Sequence, residues 1–345
     1  MSENEWADAN QRAMTIAIAE IRALLEAKLG HEPPLPADGE RVGVRGALDI
    51  ITRAFGLSPF ERQLLVLCAG VELDSAIASL CGEQRYATFS LALSALPDAH
   101  WSAITPAAPL RRWRLVDVSG PSLTTAPLRI DERVLHFLAG VNLLDERLSA
   151  IGEMLAHPPA LLASHDATAN RIASLWSAAA REERPLGAMQ LCGGDASARR
   201  AIAAAACSRV GLSVLAISAL ALPSSLAEVE TLARLCERES WLTGCAVLLE
   251  CDALESGDAW RAEIARQFAE RTRAPLLIGA REPRDVGGPS VLAIDVPRPH
   301  THERARAWRD ILGDAAVSLD GELDRLSAQF ALHPERMRAI ATNFG

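Results

Sequence analysis

The stretch Leu191–Ala203, LCGGDASARRAIA, sets two glycines, a carboxylate, a hydroxyl and two arginines behind an apolar run. That order of residue types suggests phosphate chemistry. Glycines let backbone N–H groups crowd an anion at a helix N-terminus, and a cation and a hydroxyl just beyond meet its charge and its metal. The working form of such a loop reads GxxxxGK[ST]. Aligned on the strand-like MQLC, Gly193 holds the place of the first glycine and Ala198 that of the last. Arg199 replaces the lysine and Arg200 the Ser/Thr. Ala198 lacks the backbone freedom of glycine. Arg199 keeps the charge but exchanges a compact ammonium for a broad planar fork. Arg200 removes the hydroxyl that would hold Mg²⁺. Asp195 sets a carboxylate where phosphate would lie, and like charges ~4 Å apart repel by about 1 kcal/mol in water and by more when desolvated. Gly193, Gly194, Ser197, Arg199 and Arg200 are the candidate contacts of a vestigial phosphate loop. No lysine elsewhere in this part of the chain can stand in, because Lys28 is the only lysine.

The elements around the loop are those that would position it. From about Ala167 the chain alternates helix and strand. ATANRIASLWSAAAREER, SARRAIAAAACSRV, SSLAEVETLARLCERESWL and GDAWRAEIARQFAERT read as helices. LGAMQLC reads as a buried strand, and LSVLAIS, CAVLLEC, PLLIGA and VLAIDV as four more strands. That alternation predicts a mainly parallel, doubly wound sheet flanked by helices. After PRPHTHE, three helical stretches, HERARAWRDILG, ELDRLSAQF and HPERMRAIATNF, predict a helical lid.

The front of the chain is mostly helical. Met14, Ile18, Ile21, Leu25 and Leu29 recur at helical spacing between Asn4 and Leu29. HEPPLPADGE, His31–Glu40, reads as a linker. Four short helices follow: GALDIITRAFG, LSPFERQLLVLCAGVEL with Ser58 as N-cap and Pro59 at its first position, DSAIASLCG and TFSLALSAL. RRWRLVDVSG and APLRIDERVLHFLAG then carry β-like runs around the turn GPSL, the outline of a winged helix. HPPALLASHD, His157–Asp166, marks the next boundary. The expected organisation is an N-terminal helix and linker over 1–40, a winged-helix-like domain over 41–156, an α/β core over 157–297 and a lid over 298–345.

Composition limits the function classes. The chain has 345 residues, 49% of them hydrophobic, enough for a sizeable core, and a net charge of -9. Acidic residues outnumber basic ones in both halves, so nucleic acid is not an expected partner. The seven cysteines form no CxxC pair, which predicts buried thiols of a reducing compartment rather than a zinc ribbon or a redox pair. The N-terminus is polar and acidic, unlike a signal peptide, and no apolar run approaches the ~20 residues that span a bilayer. The expected location is the cytoplasm.

A βα sheet with a glycine turn after its first strand and a helical lid behind it resembles the AAA+ ATPase module. The lid carries the most specific match. VPRPHTHERARAWRDIL and LDRLSAQFALHPERM, through Pro299, Glu303, Arg304, Trp308, Leu326, Phe330 and Leu332, are similar to the family run apolar-x-x-P, ER-x-x-x-W, L-x-x-x-F-x-L-x-x-x-x-I; Met337 stands where that run ends in isoleucine. The front half, through LSPFERQLLVLCAGVELDSAIASLCG and APLRRWRLVDV, resembles the winged-helix domain of the AAA+ proteins of phage-tail-like contractile injection systems. Members of that group often carry two ATPase modules. This chain ends at TNFG behind one lid, which leaves either a fragment of a longer tandem ATPase or a chain that has lost its second module.

The resemblance implies further positions. A second metal motif, four apolar residues and Asp-Glu, falls on AVLLECD. Glu250 takes the aspartate's place and can still ligate a metal; Cys251 takes the place of the glutamate base. Asp252 lies one residue late, on the other face if the strand continues. Glu250 and Asp252 are thus vestigial catalytic positions. The polar sensor of the fourth strand falls on Ala280. Arg281 and Arg284 are the nearest candidates for arginine fingers, and Arg336 or Arg338 for a sensor arginine in the lid. ATP or ADP is the candidate ligand, other AAA+ modules are the candidate partners, and no metal site is expected.

Other features compete with these. RRWR at 111–114 reads as a strand that faces Arg111 and Trp113 one way and Arg112 and Arg114 the other: a protein-contact surface, a wing against DNA phosphate, or an ordinary surface with no role beyond the fold. His300, His302 and Glu303 have ligand-like types but no third group at a distance. No nucleophile elbow of the GxSxG kind is present. The reading is a degenerate AAA+ module with a structural or regulatory role beside active modules in a contractile-injection-system assembly. The rivals are a divergent active ATPase and a winged-helix DNA-binding regulator.

Overall fold

The computed structural model describes residues 3–30, 46–156, 161–254, 257–286, 291–319, 321–330, 332 and 334–344. The linker expected at His31–Glu40 and the boundary stretch His157–Ala160 lie outside them. The chain divides into two units, Met1–Glu146 and Arg147–Gly345.

In the first unit, helix α1 (Glu3–Lys28) buries Met14, Ile18, Ile21 and Leu25, the stripe its spacing predicts; Leu29 lies past its end and is exposed. It packs on α2 (Ala47–Phe55), α3 (Pro59–Leu73) and α4 (Ser75–Leu80). Asn10 of α1 accepts from the Ala47 amide at 2.6 Å and so caps α2 from outside. Ser58 and Glu61 form the full capping box of α3, with Pro59 at its first turn. This exchange satisfies two N–H groups that a bare helix start leaves orphaned. Helix α5 (Phe89–Ala95) follows, capped by Thr88.

RRWR departs from the expected strand. Pro109 presets a helical start, and Pro109–Arg112 form the short helix α6. Arg114 takes a positive φ of 50° that closes the turn. The Trp113 ring packs against Phe55 at 5.4 Å in a tilted arrangement, and Arg111 donates to the Ile104 carbonyl. The hairpin lies further on: β1 (Val116–Val118) pairs antiparallel with β2 (Leu128–Ile130), and Ala87 bridges to Leu128. Helix α7 (Glu132–Leu138), capped by Asp131, completes the unit, and α8 (Glu146–Ser149) follows.

The second unit is a six-stranded sheet flanked by helices. Its first strand, β3 (Gly152–Met154), was not read from the sequence. It is three residues long, and its antiparallel pairing with β5 (Ser213–Ser218) is fixed by the partner rather than by its own pattern. The other strands are β4 (Met189–Cys192), β6 (Cys245–Glu250), β7 (Leu276–Ala280) and β8 (Leu292–Asp295). The order is β3-β5-β6-β7-β4-β8, all parallel except β3. Strands β4 and β7 are buried throughout, β7 as an unbroken apolar run and β4 with its one polar residue, Gln190, bonded to the Arg284 carbonyl.

Helices α9 (Ala163–Arg181), α10 (Ala196–Arg209), α11 (Leu226–Thr243) and α12 (Ala259–Arg271) flank the sheet. The alanines of α10 let it lie close, with Ala203, Ala206 and Cys207 wholly buried between α9 and the strands. Trp176 of α9 anchors this layer: its ring is buried and its Nε1 donates to the Gly187 carbonyl at 3.1 Å. Helices α13 (Thr301–Leu312), α14 (Glu322–Gln329) and α15 (Pro334–Phe344) form the lid around Trp308, Leu323 and Met337.

Trp176→Ala removes this anchor and leaves a cavity between α9 and α10. The expected loss is about 3–5 kcal/mol, read as a fall in the urea midpoint of the chain.

Candidate functional site

The glycine loop Gly193–Asp195 leaves the carboxyl end of β4, which lies between β7 and β8 where the strand order reverses. In open α/β sheets this switch point is where ligands bind. Helix α10 starts at Ala196, so Ala198 is already helical and needs no glycine-like backbone. The unusual dihedrals fall earlier, on Gly193 at φ +85° and Gly194 at φ +59°, and a Cβ on Gly194 would meet Val296 Cγ1 at 2.7 Å.

In this geometry the polar groups of the loop bind other groups of the chain. The Gly193 N–H donates to the carbonyls of Ala280 at 3.2 Å and Arg281 at 3.0 Å. Asp195 accepts from the Ala198 amide at 2.6 Å and caps α10 with its own carboxylate. The carbonyls of Gly193 and Gly194 face Arg199, whose Nη1 donates to them at 2.5 and 3.1 Å. A phosphate loop offers donors to an anion; this one offers acceptors to a cation.

The same arginine reaches the end of the third parallel strand. Arg199 Nη2 donates to Asp252 Oδ2, with only 3% of the Arg199 side chain exposed. The sequence reading placed Asp252 on the far face of a continuing strand. Strand β6 instead ends at Glu250, and the turn after it swings the carboxylate back to Arg199. Arg200 makes a second pair: Nε donates to Glu250 Oε1 at 2.8 Å and Nη2 to Oε2 at 3.1 Å. Nη2 also donates to Glu153 of β3 at 2.5 Å. The bond to Glu250 holds the Arg200 guanidinium above its ordinary pKa against the pull of burial, and Glu153 adds to it. Both arginines of the loop are thus bound to the acids of AVLLECD. Ser197 is exposed in the first turn of α10.

Cys251 sits where the resemblance puts a glutamate base. Burial pushes its thiol up to about 12, so it stays neutral, and its amide donates to Gly279. Arg284 turns inward to the Leu254 carbonyl at 2.6 Å. Arg336 is exposed on α15 and lines none of the cavities described below. Among the described residues no group of three His, Cys, Asp or Glu side chains can hold a metal ion.

A cavity of about 270 Å³ lies beside the loop, lined by His165, Gly194, Asp195, Ala198, Arg298 and Arg304 among others. Arg199, Arg200 and Glu250 are not in its wall. Burial lowers the His165 pKa, and its Nε2 lies 3.1 Å from the Pro297 carbonyl. Arg304 binds backbone, Nη1 to Pro299 at 2.6 Å and Nε to Ser327 at 2.9 Å.

Glu303 joins the lid to the sheet layer. Its carboxylate accepts from the Ser164 amide at 2.8 Å, the Ser164 hydroxyl at 2.9 Å and the His300 amide at 2.9 Å. One side chain therefore caps the starts of α9 and α13, where the helix dipoles favour negative charge. Burial raises its pKa, but these three donors together hold it below the ordinary 4.5. From the sequence, Glu303 was only part of a motif and of a ligand-like trio, because its partner Ser164 is 139 residues away.

Two outcomes test this site. Asp252→Ala strands the buried guanidinium and destabilises the second unit by about 3–5 kcal/mol, whereas pairing Arg199→Met with Asp252→Leu restores most of the loss, both read by urea unfolding. Glu303 acts in the acid range. Its folded pKa is depressed, so its contribution is complete above about 4.5 and fades as pH falls through the lower folded value. Acid titration of the near-UV signal of Trp308 should show the lid loosening below that pH in the parent chain and already loosened at neutral pH in Glu303→Ala.

Residues 39–151 match a family model described as a winged helix domain, variant, and residues 300–344 match one described as a contractile injection system ATPase helical domain. Among solved structures, a chain from work on the structural basis for katanin self-assembly is 15% identical with a TM-score of 0.40, covering 57% of this chain and 74% of that one. No curated protein matches the chain. No helix among the described residues is long and apolar enough to cross a membrane. By these matches the chain is similar to the contractile injection system ATPases over its lid and to a variant winged helix domain over its N-terminal part, the two ends of the resemblance read from its sequence.

Proposed function

We propose that the chain is a degenerate AAA+ ATPase-like protein with a structural or regulatory place beside active ATPase modules, in a cytoplasmic assembly associated with a contractile injection system. One observation carries this reading: the charges at the nucleotide positions are spent on each other. Arg199 and Arg200, at the places of the lysine and the hydroxyl, hold Asp252 and Glu250. Asp195 fills the helix start where phosphate would sit.

The residues present do not fit Mg²⁺ and a triphosphate. Glu250 would have to release Arg200 before it met a metal. A phosphate at the start of α10 would face the Asp195 carboxylate and the carbonyls of Gly193 and Gly194. The neutral thiol of Cys251 supplies no base. In this reading the first unit docks protein, and the second, which begins before the expected boundary because β3 joins its sheet, keeps the shape of an ATPase core without its turnover, with 298–345 as its lid.

Phosphate release and titration with a fluorescent ATP analogue, both with Mg²⁺ and the full chain, test the proposal. The expected result is no hydrolysis above buffer, together with co-migration of the chain with an intact module of an injection-system ATPase on size exclusion. Steady turnover abolished by Arg199→Ala and by Glu250→Gln would overturn it in favour of a divergent active enzyme.

A further inference from the structure

A second cleft, of about 410 Å³, lies between the start of α9 and the lid helices α13 and α15. It shares only Leu162 with the cavity beside the glycine loop. Its walls combine Leu161, Leu162, Ala307 and Ile311 with two guanidinium groups, Arg306 and Arg338. Its volume is within the roughly 300–1,000 Å³ of ligand pockets.

The charges of this cleft are unevenly satisfied. Of its carboxylates, Asp166 is bound by Arg209 and Asn170, and Glu303 accepts from Ser164 and His300. Among the described residues neither Arg306 nor Arg338 has a carboxylate partner. Arg338 Nη1 is shielded from solvent with no acceptor among the described residues. A buried donor without an acceptor is costly, so the position favours an incoming anion. Asp310 lines the same cleft and is exposed. It opposes a doubly charged phosphate more than a singly charged carboxylate. The guanidinium fork matches a carboxylate in shape, and the leucines beside it suit an aliphatic side chain.

We infer that this cleft binds a short protein segment in which a carboxylate stands next to an aliphatic side chain. The carboxylate is either an acidic residue or a free chain end. The inference concerns a different cavity from the vestigial loop and does not depend on the loss of ATP turnover.

Fluorescence anisotropy on the full chain tests it with three labelled glycine-serine peptides, each ending in two leucines. The first has a free carboxyl terminus, the second a terminal amide, and the third a terminal amide with a glutamate before the leucines. Binding of the first or third but not the second supports the inference, and the better of the two identifies the source of the carboxylate. Arg338→Gln and Arg306→Gln should each weaken that binding about tenfold or more. If Arg338→Gln unfolds the lid, Arg306→Gln on the exposed face of α13 decides alone. Equal binding of all three peptides, binding of none, indifference to the arginine substitutions, or displacement by ATP would overturn the inference.

Discussion

Arg199 carries a guanidinium to the carboxyl edge of a parallel sheet, where 3% of its side chain meets solvent. A charge so placed is stable only if its surroundings replace the water it gives up. Three groups do so: the carbonyls of Gly193 and Gly194 and the carboxylate of Asp252. Each dictates something around it. The carbonyls face inward because both glycines take positive φ. Asp252 is in reach because β6 stops at Glu250. Asp195, just beyond the two glycines, caps α10 with its own carboxylate. The form of the loop follows from where this one cation sits.

The elements that carry strong periodicity or continuous apolar runs were legible. The five strands read from the sequence form, as do α1, the Ser58 cap of α3 and the three lid helices. What escaped was decided by partners distant in sequence. β3 has too few residues to show a pattern, and its place comes from Ala216 and Ile217 across the pair. RRWR has the alternation of a strand, but Pro109 two residues earlier starts a helix. At the site, the altered types at 195, 199, 200, 250 and 252 were visible one by one. Their pairing was not, because a turn at the end of β6 sets which face Asp252 presents. A one-residue offset in a continuing strand and a chain reversal give opposite answers from the same letters.

In the lid, the residues of the matched motif hold helices together. Glu303 caps two helices at once, Arg304 ties α13 to the backbone of Pro299 and Ser327, and Trp308 is the centre of the lid core. None of these contacts requires a nucleotide. Leu326 and Phe330, from the same motif, are exposed. The matched residues thus divide into those that build the lid and those that leave an apolar surface on it, and neither group reports on turnover.

The geometry of the planar guanidinium suits the positions of Arg199 and Arg200. A ligand bound between the loop and the end of β6 would hold those two segments together, and the energy of that bridge would appear only when ligand is bound. Arg199 and Arg200 make such a bridge within the chain, one to each acid. A lysine in the place of Arg199 could reach one partner as a point charge, but it could not divide donors between two loop carbonyls and a carboxylate in one plane. The planar fork can, since its Nη1 and Nη2 serve separate acceptors at once. Together the two guanidinium groups join the start of α10 to both acids at the end of β6 from within the chain.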